Sequence, residues 1–148
     1  MQIWVDADAC PGVIKNILFR AAERTHTVMT LVANHPLPAP ASPYVKKLQV
    51  GGGFDVADNQ ILKLMQKGDL VITADIPLAN GVIENGGTAL NPRGTLYTED
   101  NIKQCLSLRD FSEAVRSSGR LIGGPATLSK TDVQQFANQL DRFLSSSV

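Results

Sequence analysis

Apolar residues fall along this chain in two alternating patterns. Short unbroken runs, Ile3-Trp4-Val5, Thr27 to Ala33 and Leu70-Val71-Ile72-Thr73, have the length and β-branched content of strands buried on both faces. Between them, apolar residues recur at three- and four-residue spacing. Val13, Ile14, Ile17, Leu18 and Ala21 predict an amphipathic helix from Pro11 to about Arg24. Val56, Ile61, Leu62 and Met65 stripe a second helix, which Lys67-Gly68-Asp69 closes with glycine in its usual C-terminal role. Strand, helix and strand of these lengths predict a right-handed βαβ unit with parallel strands.

Weaker elements fill the rest. Lys46 to Val50 and Thr88 to Leu90 are short strand candidates, and Asn80 to Asn85 completes a short helix. Thr98-Glu99-Asp100-Asn101 opens a helix carrying Ile102, Leu106, Leu108 and Phe111, with Arg109, Arg116 and Arg120 on a basic side. Ser129-Lys130-Thr131-Asp132 reads as a capping-box variant for a last helix whose stripe is Val133, Phe136, Leu140, Phe143 and Leu144. Four prolines between Asn34 and Pro43 exclude regular structure there, so this is a long surface loop. Gly51-Gly52-Gly53 is a tight loop without the Gly-Lys-Ser/Thr ending of a phosphate-cradling loop. Gly123-Gly124-Pro125 is a rigid bend. There is no repeat or linker. The expectation is one α/β domain over residues 1–148: three layers, with a mainly parallel central sheet flanked by helices.

Charge narrows the partners. Fourteen Lys and Arg balance fourteen Asp and Glu in 148 residues, so any nucleic-acid binding needs a local basic patch. No apolar run approaches the ~20 residues of a membrane helix, and the first residues lack the pattern of a signal peptide. A cytoplasmic protein with no membrane partner is expected. Cys10 and Cys105 are far apart in sequence and form no metal-type pair, which fits a reduced compartment. Cys10 as a nucleophile lacks an activating histidine in any motif. His26 and His35 lie in no ligand-spaced cluster and read as structural or solvated.

The acids carry the chemistry. Asp6 and Asp8 sit where the first strand stops, and Pro11 follows at a helix start. Asp75 repeats the arrangement after Leu70 to Thr73, with Pro77 opening the next helix. Open α/β sheets bind ligands just beyond the carboxyl ends of their strands. Carboxylates one residue apart repel unless a cation or proton intervenes, and parallel neighbours are ~4.8 Å apart. Asp6, Asp8 and Asp75 therefore predict a divalent-metal site, against the plainer reading that each caps a helix. Asp55 and Asp58, three apart on a helix, face the same way. Asp55 stands where a cap is wanted, whereas capping explains Asp58 less well. Arg93, in the turn Asn91-Pro92-Arg93-Gly94, offers fork-shaped donors for a phosphate or carboxylate.

Together these stretches resemble a known family. Val-Asp-Ala-Asp-Ala-Cys-Pro at 5–11, Gly-Phe-Asp-Val-Ala-Asp-Asn at 53–59, Thr-Ala-Asp-Ile-Pro-Leu-Ala at 73–79, Asn-Pro-Arg-Gly at 91–94 and Gly-Gly-Pro at 123–125 are similar to the YaiI/YqxD family of uncharacterised bacterial proteins. The resemblance runs from Met1 to about Leu144. The acidic pattern further resembles PIN-like nucleases and implies their fold. On that resemblance Asp6 with Asp8, Asp55 or Asp58, and Asp75 take the acidic places. Ile76-Pro77-Leu78 supplies none of the further acid that often follows the later strand in that fold, and Asp8 stands nearest to substitute.

Three functions follow as expectations. The first is phosphodiester hydrolysis, of RNA before DNA. Asp6, Asp8, Asp58 and Asp75, with Asp55 as a further ligand, would hold Mg²⁺ or Mn²⁺, while Arg93, Lys46 and Lys47 would steady the substrate backbone. The second is a haloacid-dehalogenase-like phosphatase, with Asp6 as nucleophile and Asp8 as acid/base. Cys10 stands where those enzymes usually carry Thr or Val. The third is a non-catalytic domain binding metal, nucleic acid or protein.

Overall fold

The computed structural model describes residues 2–7, 10–36, 39–52, 56–103 and 128–146. Its centre is a six-stranded sheet in the order β3-β2-β1-β4-β5-β6. The strands are β1 (Ile3–Asp6), β2 (Met29–Ala33), β3 (Val45–Gln49), β4 (Leu70–Ile72), β5 (Thr88–Leu90) and β6 (Leu96–Tyr97). All neighbouring pairs are parallel except β5 with β6. The helices are α1 (Gly12–Thr25), α2 (Val56–Leu64), α3 (Ile76–Glu84), residues 99–103 as α4, and α5 (Lys130–Ser146). This is the three-layer α/β arrangement expected from the apolar pattern. The antiparallel β6 was not foreseen, because two residues carry no periodicity.

Alternation along the strands sorts the core into two halves. Ile3, Val5, Met29, Leu31, Leu70 and Ile72 face one side, where they pack with Ile14, Leu18 and Ala21 of α1 and Phe136, Leu140 and Leu144 of α5. Trp4, Val32 and Val71 face the other, with Ile61 of α2 and Leu78, Ala79 and Val82 of α3. Asp6 and Thr73 are in phase with Trp4 and Val71, so they belong to the α2/α3 side. The chain enters at the sheet's middle, builds β2 and β3 to one side, then crosses through α2 to β4 and β5 on the other. The reversal falls between β1 and β4.

The opposite end of the sheet is closed by Asp69. Its buried carboxylate accepts from the backbone N–H of Gln2 at 3.0 Å and Gln66 at 2.9 Å, and from the Trp4 indole at 3.0 Å. The sequence pattern alone marks Asp69 as the end of a helix. At the start of α5 the capping box forms in both directions. The Ser129 hydroxyl accepts from the Asp132 N–H, and the Asp132 carboxylate from the Ser129 N–H, each at 3.1 Å. Leu106, Leu108, Arg109, Phe111, Arg116, Arg120 and the Gly123-Gly124-Pro125 bend lie outside the described residues. No helix among the described residues is long and apolar enough to cross a membrane.

Candidate acidic site at the sheet reversal

Asp6 is the last residue of β1 and is buried to 8% exposure. Its neighbour across the β1–β4 pair is the end of β4, since Val5 lies opposite Ile72. Thr73 is therefore beside it, on the same face. The Thr73 hydroxyl donates to Asp6 Oδ2 at 3.1 Å and accepts from the backbone N–H of Asp75 at 3.0 Å. Thr73 is almost wholly buried. One hydroxyl thus ties the two strand-end aspartates together, with its proton directed at the Asp6 carboxylate. Such a hydroxyl bond to the N–H two residues on is the usual way Thr stabilises a turn. The apolar run places Thr73 at the end of a strand; a hydroxyl residue in phase with the strand-end Asp is the signal for its role.

Asp75 is the N-cap of α3. Its Oδ1 accepts from the Leu78 N–H at 2.9 Å, and Pro77 lies in the first turn, where a missing N–H costs nothing. Capping and ligation are compatible here, because the cap occupies only one oxygen. Oδ2 of Asp75 accepts no hydrogen bond among the described residues. Asp58 lies half-buried in the first turn of α2, the helix that packs on β1 and β2 and beside α3. Asp6, Asp58 and Asp75 accordingly occupy the same side of the sheet. Among the described residues, however, no three acidic, histidine or cysteine side chains come close enough together to hold a metal ion. Asp8 and Asp55 lie outside the described residues.

The basic candidates stand apart from this pair. β3 is the edge strand, and its register sets Lys46 level with Thr30 and Trp4, and Lys47 level with Leu31 and Val5. Both start below the lip on which Asp6 sits, on opposite faces. Lys47 lines a recess of about 230 Å³ with Ala33, His35 and Gln49. Arg93 Nη1 is 2.8 Å from Asp132 Oδ2, so its guanidinium ties the β5–β6 turn to the first turn of α5. Cys10 is buried behind Asp6. Loss of water, opposed in part by the Lys15 ammonium and reinforced by the Asp6 charge, pushes its thiol up to about 12. The burial favours the thiol over the thiolate at neutral pH.

Residues 4–146 match the model of a protein family described as uncharacterised BCR, YaiI/YqxD family. Three curated proteins illustrate the similarity. A UPF0178 protein of Pseudoalteromonas translucida (strain TAC 125) is 64% identical over 146 residues, covering 98% of this chain and 97% of that one. One from Yersinia enterocolitica is 60% identical over 148 residues, covering 100% and 97%. One from Shewanella amazonensis is 62% identical over 145 residues, covering 98% and 97%. No solved structure matches the chain. With a family match from the first strand to the last helix, and relatives this similar over 97% of their length, the chain belongs to the YaiI/YqxD family of bacterial proteins.

Proposed function

We propose that the chain is a divalent-metal-dependent phosphodiesterase acting on RNA, centred on Asp6 and Asp75. One observation carries this reading. Asp6 ends β1 and Asp75 follows the adjacent parallel β4 where the sheet's winding reverses, and the buried Thr73 hydroxyl joins the Asp6 carboxylate to the Asp75 backbone N–H. That is where open α/β sheets bind their ligands.

The donor set fits Mg²⁺ or Mn²⁺. It is all oxygen, as hard cations require, and lacks the histidine or cysteine that zinc favours. A pair of carboxylates is also enough for Mg²⁺, which keeps several waters and is completed by substrate phosphate. A bound ion would supply a Lewis acid that neutralises phosphate charge and makes water a better nucleophile. The chain's own part is to hold the carboxylates. Asp6 is fixed by its strand and by Thr73, Asp75 by its cap on α3, so little ordering is left to do on binding. Burial of Asp6 keeps its charge poorly screened and strengthens its pull on a cation. Asp58, with Asp8 and Asp55, is proposed to add ligands or to orient water. Lys46 and Lys47 are proposed to act on the substrate backbone at a distance from the reacting phosphate. Arg93 can join them only by sharing its guanidinium with Asp132. A cytoplasmic setting belongs to the same reading.

The test is cleavage of a labelled single-stranded RNA in Mg²⁺ or Mn²⁺, with EDTA as control. Wild type is expected to cleave and Asp6→Asn to lose at least about a hundredfold in rate, the loss of one oxyanion-type stabilising group or more. Undiminished cleavage by Asp6→Asn would sink the assignment. A second reading, metal and nucleic-acid binding without turnover, is favoured by one observation: among the described residues no three acidic, histidine or cysteine side chains come together. RNA binding with no cleavage in either metal would select it.

A further inference from the structure

The outer face of α1 carries a second pattern, distinct from its core stripe. Ile14, Leu18, Ala21 and Ala22 face the sheet. Gly12, Lys15, Asn16, Phe19 and Arg20 recur at three- and four-residue spacing on another face, where they form one wall of an open groove of about 670 Å³. Ala39 and Pro40 of the proline-rich loop form the facing wall. Phe19 and Ala39 are half-buried against the core and supply an apolar floor.

The cations in this groove differ from two others on the same side of the molecule. Arg24, one turn further along α1, is paired with Asp141 of α5 at 2.6 Å, and Arg93 with Asp132. Lys15 and Arg20 make no ion pair or hydrogen bond among the described residues. Arg20 also borders the recess between α1 and α5, where Asp141 is already taken by Arg24. No acidic side chain among the described residues lines the groove. A wall with two cations unpaired among the described residues, an aromatic ring between them and an amide attracts a polyanion with flat apolar groups. Lys15 and Arg20 are five residues apart, about 7.5 Å along the helix axis. The groove begins at Gly12, the first residue of α1, just past the strand that ends in Asp6.

We propose that this groove is a track for single-stranded nucleic acid, with Lys15 and Arg20 on successive phosphates and Phe19 stacked under a base. It deepens the phosphodiesterase reading and rests on it for the fate of the strand, but the binding itself needs no metal. A single strand suits it better than a duplex. Stacking on Phe19 requires an unpaired base, and stacking plus phosphate contact is the general mode for single strands.

The test is fluorescence anisotropy of a labelled short single-stranded RNA in EDTA across a salt series. Lys15→Gln/Arg20→Gln is expected to weaken binding roughly tenfold or more. It should also flatten the slope of log affinity against log salt by about 1.4, for two phosphate contacts. Phe19→Leu keeps the packing volume while removing the ring, and is expected to weaken single-strand binding several-fold with a circular-dichroism spectrum like wild type. The same sequence as a duplex should bind more weakly than the single strand. Wild-type affinity and salt slope in the double variant would overturn the proposal, and so would a polyglutamate peptide that competes as well as RNA. Variant-sensitive binding without cleavage in any metal would leave the track standing and remove the nuclease. Cleavage by wild type with binding unaltered in the variants would do the reverse.

Discussion

At the residue scale the site turns on a side chain with no charge. Thr73 is bonded to both Asp6 and Asp75, donating to the carboxylate of one and accepting from the backbone N–H of the other. Thr73→Val keeps the shape and removes both bonds. It leaves the Asp75 N–H without its partner and takes a donor from a buried carboxylate, so a loss of about 1–3 kcal/mol is expected in urea unfolding, with Mn²⁺ affinity reduced as well. Thr73→Ser should recover most of both. If the valine variant unfolds and binds like wild type, the bridge has no energetic content. Asp6 and Asp75 were legible in the sequence because an acid at the end of an apolar run has few other uses. Thr73 was not, because its meaning depends on which strand becomes its neighbour. Cys10 is the reverse case. Its place beside the acids suggests reactivity, but burial holds its pKa near 12. In a Cys105→Ser background the remaining thiol should resist iodoacetamide at pH 8 until the protein unfolds. Rapid alkylation of the native protein would contradict the burial.

At the element scale two polar ties place the ends of the layers. Asp69 gathers Gln2, Trp4 and Gln66 at the amino-terminal edge, away from the site. Asp69→Ala strands three N–H donors, two of them backbone, and is expected to cost about 3 kcal/mol or more by denaturant titration, with the indole fluorescence altered. A loss under about 1 kcal/mol would show that water replaces the carboxylate. The second tie fastens α5. Its apolar stripe was readable from helical spacing and its cap from Ser129 and Asp132, and both formed as read. What spacing could not reveal is that the β5–β6 turn presses directly on this helix. Gly94 has φ +92°, and a Cβ there would meet the Phe136 nitrogen at 2.6 Å. Gly94→Ala therefore combines strain with a clash against backbone that cannot yield, and a clear drop in Tm is expected. The Ser129 N–H, the Ser129 hydroxyl and the Arg93 guanidinium hold the Asp132 carboxyl below the usual carboxylate range. A lowered carboxyl pKa stabilises the fold above the unfolded value and is lost as pH falls through the folded one. The acid limb of the stability profile should thus be shallower in Asp132→Asn than in wild type. Coincident acid limbs would show that this tie does not stabilise the fold.

At the scale of the whole molecule the order of strands makes the site. Each apolar run predicted a strand and each amphipathic stretch a helix, but only the pairing β2-β1-β4 brings Asp6 against Thr73 and Asp75. Had β4 paired elsewhere, the same acids would be scattered caps. The sequence pointed to a shared edge from the repeated run-acid-proline pattern. It could not weigh the lysines, because the register that sets Lys46 and Lys47 below the lip is a property of the assembled sheet. Nor could it find the groove on α1, whose facing wall comes from the loop at Ala39 and Pro40. The central claim is that two carboxylates at the reversal of the sheet form a cation site. Calorimetric titration with Mn²⁺, wild type against Asp6→Asn/Asp75→Asn, tests it most directly. Wild type is expected to bind in the micromolar to low-millimolar range, and the double variant to lose binding while its unfolding transition stays cooperative. Equal binding by a folded double variant, or none by wild type even with a phosphodiester analogue present, would contradict it.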